Sequence, residues 1–196
     1  QGVILGNAEK EFKIFLEKSG IPAAWTILGL SAIPTDHPSN RGMVGMHGNY
    51  APNLLTNECD LLIAIGMRFD DRVTGDLSKY AKQAKIIHLE LDPAEVDKNV
   101  KVDVALLSDC KISLKELNKR ISAKTYPEWI ARFEALDKIE NDKVIHSDLF
   151  PTKEGLTMGE SIEMINKYSN NDAIIVTDVG QHLSLIHISE PTRPYW

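Results

Sequence analysis

The chain has 196 residues, a net charge of −6, and 43% hydrophobic against 26% charged residues. That balance is ordinary for a folded globular protein, and the length suits one domain plus part of another. The acidic charge argues against a nucleic-acid surface, no apolar run approaches the roughly 20 residues that span a bilayer, and the start has no basic segment ahead of a signal-peptide core. Gly2 to Leu5 reads as a short strand. Ala8 to Ser19 has helical spacing, with Phe12, Ile14, Phe15 and Leu16 set among lysines and glutamates. Gly20 ends that helix and Pro22 opens a strand over Ala23 to Ile27. Leu28 to Gly48 is a long stretch rich in glycine and proline, of a length that is usually functional or partly structured. Asn49 to Cys59 predicts a helix. Asp60 to Ile65 reads as a strand whose apolar run, Leu61 to Ile65, is continuous rather than alternating, which predicts an interior strand covered on both faces. Lys85 to Leu91 predicts the next strand, Asp92-Pro93 a turn, and Val102 to Leu107 another short strand. Asp109 to Ser122 reads as a helix with Leu114, Leu117 and Ile121 on one face.

Strands that alternate with helices predict an α/β fold: a three-layer, Rossmann-like domain around a parallel sheet, spanning residues 1–122. Residues 123–154 read as an inter-domain connection, with Trp129, Phe133 and Leu136 on one helix and a polar stretch from Asn141. Gly159 to Asn166 is helical and Ala173 to Val176 is a strand, the first elements of a second α/β unit over 155–182. No internal repeat or low-complexity tract is visible.

Chemistry concentrates around Arg68-Phe69-Asp70-Asp71-Arg72-Val73-Thr74-Gly75, which follows the strand Leu61 to Ile65 and Gly66. Ligands of open parallel sheets bind beyond the carboxyl ends of the strands. Arginine holds anions bidentately and stays charged, so Arg68 and Arg72 stand where a diphosphate or charged substrate could be held. Surface pairing with Asp70 and Asp71 is the alternative. Gly42-Met43-Val44-Gly45-Met46-His47-Gly48 lets backbone approach a ligand closely, or is simply a glycine-rich turn. Glu90, near a strand end, suits ribose hydroxyls or a solvated charge. His88 alternates with Ile87 and Leu89 and reads as a packed histidine, whereas His37 and His146 stand in polar segments and read as solvated. Cys59 and Cys110 have no metal or redox spacing and read as reduced, buried thiols.

GMVGMHG, ECDLLIAIGMRFDDRVTG and AKIIHLELDPAEVDKNVKVD together resemble the central domain of the large catalytic subunit of acetolactate synthase (acetohydroxyacid synthase), a thiamine-diphosphate enzyme that also carries FAD. The resemblance runs from Gly2 to about Ile121 and resumes from about Gly155 to His182. It departs at Met67, where a small residue is more usual, and at Ser31, where a glycine is usual. It implies FAD contacts from Thr26 and Ile27, from Met46, His47 and Gly48, from Gly66, Met67, Arg68 and Val73, and from Glu90, Leu91, Asp109 and Cys110. It further implies that Arg72 and Asp71 line the active-site channel, and that Gly180, Gln181 and His182 meet thiamine diphosphate. The implied reaction condenses pyruvate with a second 2-keto acid, pyruvate or 2-ketobutyrate, in branched-chain amino-acid synthesis. The magnesium motif and the glutamate that activates the cofactor ring are expected outside this chain. No metal site and no catalytic acid or base is therefore assigned here, and the fragment alone is expected to be inert. A homo-oligomer, a small regulatory subunit and a cytoplasmic location (plastid in a eukaryote) are the expected context. A related flavoenzyme such as pyruvate oxidase, or a non-catalytic nucleotide-binding module, are the alternatives. The sequence at 183–196 leaves the family abruptly and resembles a translated sequencing adapter; it is expected to carry no function.

Overall fold

The computed structural model describes residues 1–150, 154–170 and Val176. The expected strand at 173–176 (Val176 apart), the Gly180-Gln181-His182 turn and the 183–196 tail lie outside the described residues. Two parallel sheets form the frame. One pairs β1 (Ala23–Trp25) with β2 (Asn40–Met43); the other has the order β3 (Leu61–Ile65), β4 (Lys85–Glu90), β5 (Val104–Leu107). In sequence, α1 (Gly2–Leu5) and α2 (Glu9–Ser19) precede the strands, α3 (Tyr50–Thr56) lies between β2 and β3, α4 (Asp71–Thr74) between β3 and β4, and α5 (Cys110–Arg120) follows β5. Then follow α6 (Pro127–Glu140), α7 (His146–Leu149) and α8 (Met158–Tyr168).

The two-residue period of β3 and β4 divides their side chains between two faces. Ile63, Ile65, Ile87 and Leu89 join Phe12, Phe15 and Leu16 of α2 and Leu114 of α5 in one core. Leu62, Ala64 and Ile86 join Phe69, Met67 and Tyr80 on the other face. Leu89 and Leu114 are wholly buried, and each such side chain contributes about 1.5–3 kcal/mol of transfer free energy. Helix α2 stops at Gly20, whose φ of +67° closes a left-handed cap with its N–H on the carbonyl of Leu16.

Several sequence expectations are corrected. Gly2–Leu5 is a helical turn, not a strand. Its β-branched residues are overruled by local bonds, Gly6 N–H to the Gly2 carbonyl and Leu5 N–H to the Gln1 carbonyl. The long loop contains a strand, β2, which lacks the β-branched apolar residues that would advertise it. The interior strand is β4, not β3: among the described residues β3 is hydrogen-bonded only to β4, in register from Leu61↔Lys85 to Ile65↔Leu89, and Leu61 is 41% exposed. His37 is buried rather than solvated; its Nδ1 accepts from Ser39 N–H at 3.1 Å, and burial lowers its pKa. The polar stretch from Asn141 is helical, a π-turn (Asn141–Ile145) running into α7, where the His146 ring lies 4.9 Å from that of Phe150. Helix α6 packs Phe133, Trp129 and Leu136 onto Ala51 and Leu55 of α3.

Ser31 has φ +72°, a left-handed conformation that costs a residue with a Cβ about 1–2 kcal/mol. A glycine would adopt this conformation without that cost. Ser31→Gly is therefore expected to stabilise the protein by about 0.5–1 kcal/mol, after allowance for glycine's greater unfolded entropy. A lower denaturation midpoint for the variant would contradict this.

Candidate functional site

The glycine-rich segment is shaped by two asparagines of the following helix. Asn53 clips Gly45 on both sides: its Oδ1 accepts from Gly45 N–H at 2.8 Å and its Nδ2 donates to the Gly45 carbonyl at 2.9 Å. Asn49 occupies the N-cap position of α3 but turns its Oδ1 to Met43 N–H, at 2.9 Å. The helix end is served instead by Glu140 of α6, whose Oε1 accepts from Tyr50 N–H at 3.1 Å. Gly45 has φ +110°, and a Cβ there would lie 2.6 Å from the Arg72 carbonyl oxygen. Only glycine lets this loop lie against the segment after β3, where Met46 N–H donates to that same carbonyl at 2.7 Å.

After β3 the chain turns at Gly66, whose N–H donates to the Leu89 carbonyl and whose carbonyl accepts from Gly2 N–H, both at 2.8 Å. Asp70 caps α4, accepting from the backbone N–H groups of Arg72 and Val73 at 3.1 and 3.2 Å. Arg68 and Arg72 stand off Asp70 and Asp71, each pair at 3.9 Å and largely exposed. Pairs of that kind contribute little, so both guanidinium groups retain donors for an anion. The Arg72 Nη1 also lies 3.8 Å from the Met46 sulfur.

At the end of β4, His88 is fully buried. Its Nε2 lies 2.9 Å from the Met67 carbonyl and 3.6 Å from Glu90 Oε2, and its ring meets Phe69 edge-on at 5.0 Å. The short contact to a carbonyl makes Nε2 the donor. Glu90 Oε1 accepts from Leu91 and Asp92 N–H at 2.8 and 3.1 Å, which leaves Oε2 as its less committed acceptor. At the end of β5, Asp109 caps α5 through Lys111 N–H at 2.8 Å. Burial, then the neighbouring Asp109 and Glu90 carboxylates, push the Cys110 thiol up to about 11, so it is protonated near neutrality and a poor nucleophile. The folded value lies above the ordinary 9.0, so the unfolded chain loses this proton first. Stability is therefore expected to fall as pH rises from about 9 towards 11. In the native protein at pH 8.5, alkylation of Cys110 should be at least about tenfold slower than in urea; equal rates would contradict the assignment.

These strand ends face one cavity of about 830 Å³, a size typical of cofactor sites. From β1 and its turn it receives Thr26 and Ile27, and from the glycine loop Met46 and His47. From the segment after β3 come Gly66, Met67, Arg68, Arg72 and Val73; from the ends of β4 and β5 come Glu90, Leu91, Asp109 and Cys110. Gly48, expected among the FAD contacts, is not on its wall, and neither is Asp71, expected to line the active-site channel. Others on the wall escaped the sequence reading, among them Gly6, Leu28 and Glu95. Asn49 and Asn53 were also missed; asparagines spaced four apart at a helix start were their only signal. No cluster of three or more metal-ligating side chains occurs among the described residues, and no helix among them is long and apolar enough to cross a membrane.

Residues 1–117 match the family described as thiamine pyrophosphate enzyme, central domain. The chain is 40% identical to the probable acetolactate synthase large subunit of Methanocaldococcus jannaschii, over 92% of this chain and 31% of that protein. It is 40% identical to the acetolactate synthase large subunit of Lactococcus lactis, over 92% and 31% of the two chains. It is 37% identical to acetolactate synthase 1, chloroplastic, of Oryza sativa, over 88% and 27%. The chain thus spans about a third of the length of the curated relatives it matches. With its parallel α/β frame and this match over residues 1–117, the chain belongs to the thiamine pyrophosphate enzyme family and carries that family's central domain.

Proposed function

We propose that this chain is a segment of an acetolactate synthase catalytic subunit, and that the cavity at its strand ends holds FAD. The observation that carries the reading is the placement of RFDDRVTG: its two arginines line a cavity at the carboxyl end of a parallel sheet, opposite a glycine loop that brings backbone close. Arg68 is the candidate partner of the diphosphate, as a charge-assisted donor. Glu90 Oε2 is the candidate acceptor for a ribose hydroxyl. Met46, His47 and Val73 offer a wall for a planar ring, and the protonated Cys110 thiol is packing surface there. Relatives named acetolactate synthase support the reaction, condensation of pyruvate with a second 2-keto acid.

Thiamine diphosphate supplies the carbanion chemistry when bound, and the protein supplies position and field. This chain's part is to build one wall of the site: the Asn53 clip fixes the loop, and Asp70 fixes the start of α4 beneath Arg72. Gly180, Gln181 and His182 are candidates to meet the diphosphate of that cofactor, and Mg²⁺ is assigned to segments beyond this chain. Residues 1–122, 123–154 and 155–182 are read as central domain, connection and start of the cofactor domain. The chain alone is read as catalytically inert. The words "large subunit" in relatives' names support a small partner subunit, with a homo-oligomeric core. Cytoplasmic residence is read for a prokaryotic source, and chloroplastic relatives support a plastid for a plant one.

In the full-length protein, Arg68→Ala should lower FAD affinity by at least about tenfold, the loss of one charge-assisted contact. Unchanged flavin content after purification would remove Arg68 from the site.

A further inference from the structure

The glycine-rich loop between β2 and α3 brings Met46 and His47 to the cavity wall. Its base rests on α6, a helix that lies beyond residues 1–117, the stretch matching the family's central domain. Phe133 of α6 packs on Ala51 and Leu55 of α3, and the Arg41 guanidinium of β2 stands over the Phe133 ring at 5.9 Å. Both arms of the loop therefore lean on one helix. At the last residue of that helix, the half-buried Glu140, the contact turns polar. Its Oε1 accepts from Tyr50 N–H at 3.1 Å, and its Oε2 accepts from Asn49 Nδ2 at 3.4 Å.

Asn49 is pulled two ways. At the N-cap of α3, an asparagine side chain ordinarily accepts from the free N–H groups of the helix start. Here its Oδ1 accepts from Met43 N–H at 2.9 Å, and its backbone N–H donates to the Met43 carbonyl at 2.8 Å. These two bonds close the base of the loop. Gly42 shows how tight that base is: its φ is +85°, and a Cβ there would collide with Asn49 Oδ1. A carboxylate only accepts and a backbone N–H only donates, so one orientation of the Asn49 amide satisfies both Glu140 and Met43. Glu140 also takes the Tyr50 N–H that would draw Oδ1 back to the helix. Without the carboxylate the amide is free to swing, and Met43 N–H loses its acceptor. Met43 and Val44 themselves line the cavity. We infer that Glu140 is a positioning residue of this cavity: from α6 it sets the Asn49 amide, and through it the base of the glycine loop. The effect on the loop is independent of the ligand, whereas the effect on flavin rests on reading the cavity as an FAD site.

The test uses the full-length protein stripped of flavin, with amide exchange read by mass spectrometry and followed by titration with FAD. Glu140→Ala should speed exchange at Met43 at least about tenfold while the β3–β4 ladder is unchanged. It should weaken FAD at least about fivefold, the scale of one lost hydrogen bond. Glu140→Gln keeps the size of the side chain and an acceptor for Tyr50 N–H, but turns a donor towards Asn49 Nδ2. Exchange at Met43 should therefore rise at least about threefold in Glu140→Gln, a change that a mere packing role would not produce. Should Glu140→Ala fail to fold, the glutamine variant decides the same comparison. Arg132→Ala removes the ion pair of α6 with Glu58 and the guanidinium over Trp129, and should leave Met43 exchange at the wild-type rate. Unchanged Met43 exchange in the Glu140 variants would overturn the inference. So would an Arg132→Ala effect equal to that of Glu140→Ala, since Glu140 would then only dock the helix. Faster exchange with unchanged FAD affinity would also overturn the positioning role. In that case Arg68→Ala separates the two failures: if it weakens FAD, the flavin reading stands and Glu140 alone is excluded; if it does not, the flavin reading fails as well.

Discussion

Replacing Gly66 by alanine should destabilise the protein by about 2–5 kcal/mol. Its φ of +55° costs a residue with a Cβ about 1–2 kcal/mol. The new methyl would also lie 2.6 Å from the Cα of Gly2 and 2.7 Å from the Cys110 sulfur. The thiol can rotate, but the Gly2 backbone is tied down by its bond to the Gly66 carbonyl, so overpacking adds about 1–3 kcal/mol. Gly66→Ala combined with Cys110→Ala should recover only the smaller part. Because Gly66 is also the pivot from β3 into the arginine segment, flavin binding by the full-length variant should weaken in parallel. Urea denaturation measures the first effect, and a loss below about 1 kcal/mol would show that Gly2 yields easily.

Asn53→Ala should cost about 2 kcal/mol and should reduce flavin affinity in the full-length protein at least about tenfold. The substitution removes both Asn53 hydrogen bonds to Gly45, which leaves that residue's N–H without its partner while its carbonyl keeps only the bond from Gly48 N–H. The loop so released carries Met46 and His47 to the cavity wall. Asn53→Asp keeps the acceptor and loses the donor, so it should fall between wild type and alanine. If flavin affinity is unchanged while stability falls, Asn53 supports the helix and does not position the loop.

How much of this was legible in the sequence depended on the range of each interaction. The helix at Glu9–Ser19 and the strands at Leu61–Ile65 and Lys85–Glu90 announce themselves through local periodicity and length. The strand at Asn40–Met43 does not, because pairing with β1 rather than its own composition makes it extended. Gly2–Leu5 misleads for the converse reason: Val3 and Ile4 favour strand, while the turn is closed by bonds to Gln1 and Gly2 and anchored 64 positions away at Gly66. The strand ends that face the cavity could be expected, since a parallel sheet directs them to one crevice. Which residues reach the wall could not, as the absence of Gly48 from it illustrates. Contacts such as His88 to the Met67 carbonyl or Glu140 to Tyr50 join distant stretches and leave no local signature.

The central reading, a segment of an acetolactate synthase catalytic subunit whose cavity holds FAD, is tested by the products of the full-length protein. Purified enzyme would be given pyruvate, thiamine diphosphate, Mg²⁺ and FAD under air, and acetolactate and hydrogen peroxide would be measured together. Acetolactate as the main product, with peroxide at background, is the expected result. Peroxide formed in step with pyruvate consumption, without acetolactate, would contradict it and favour a flavin that carries electrons.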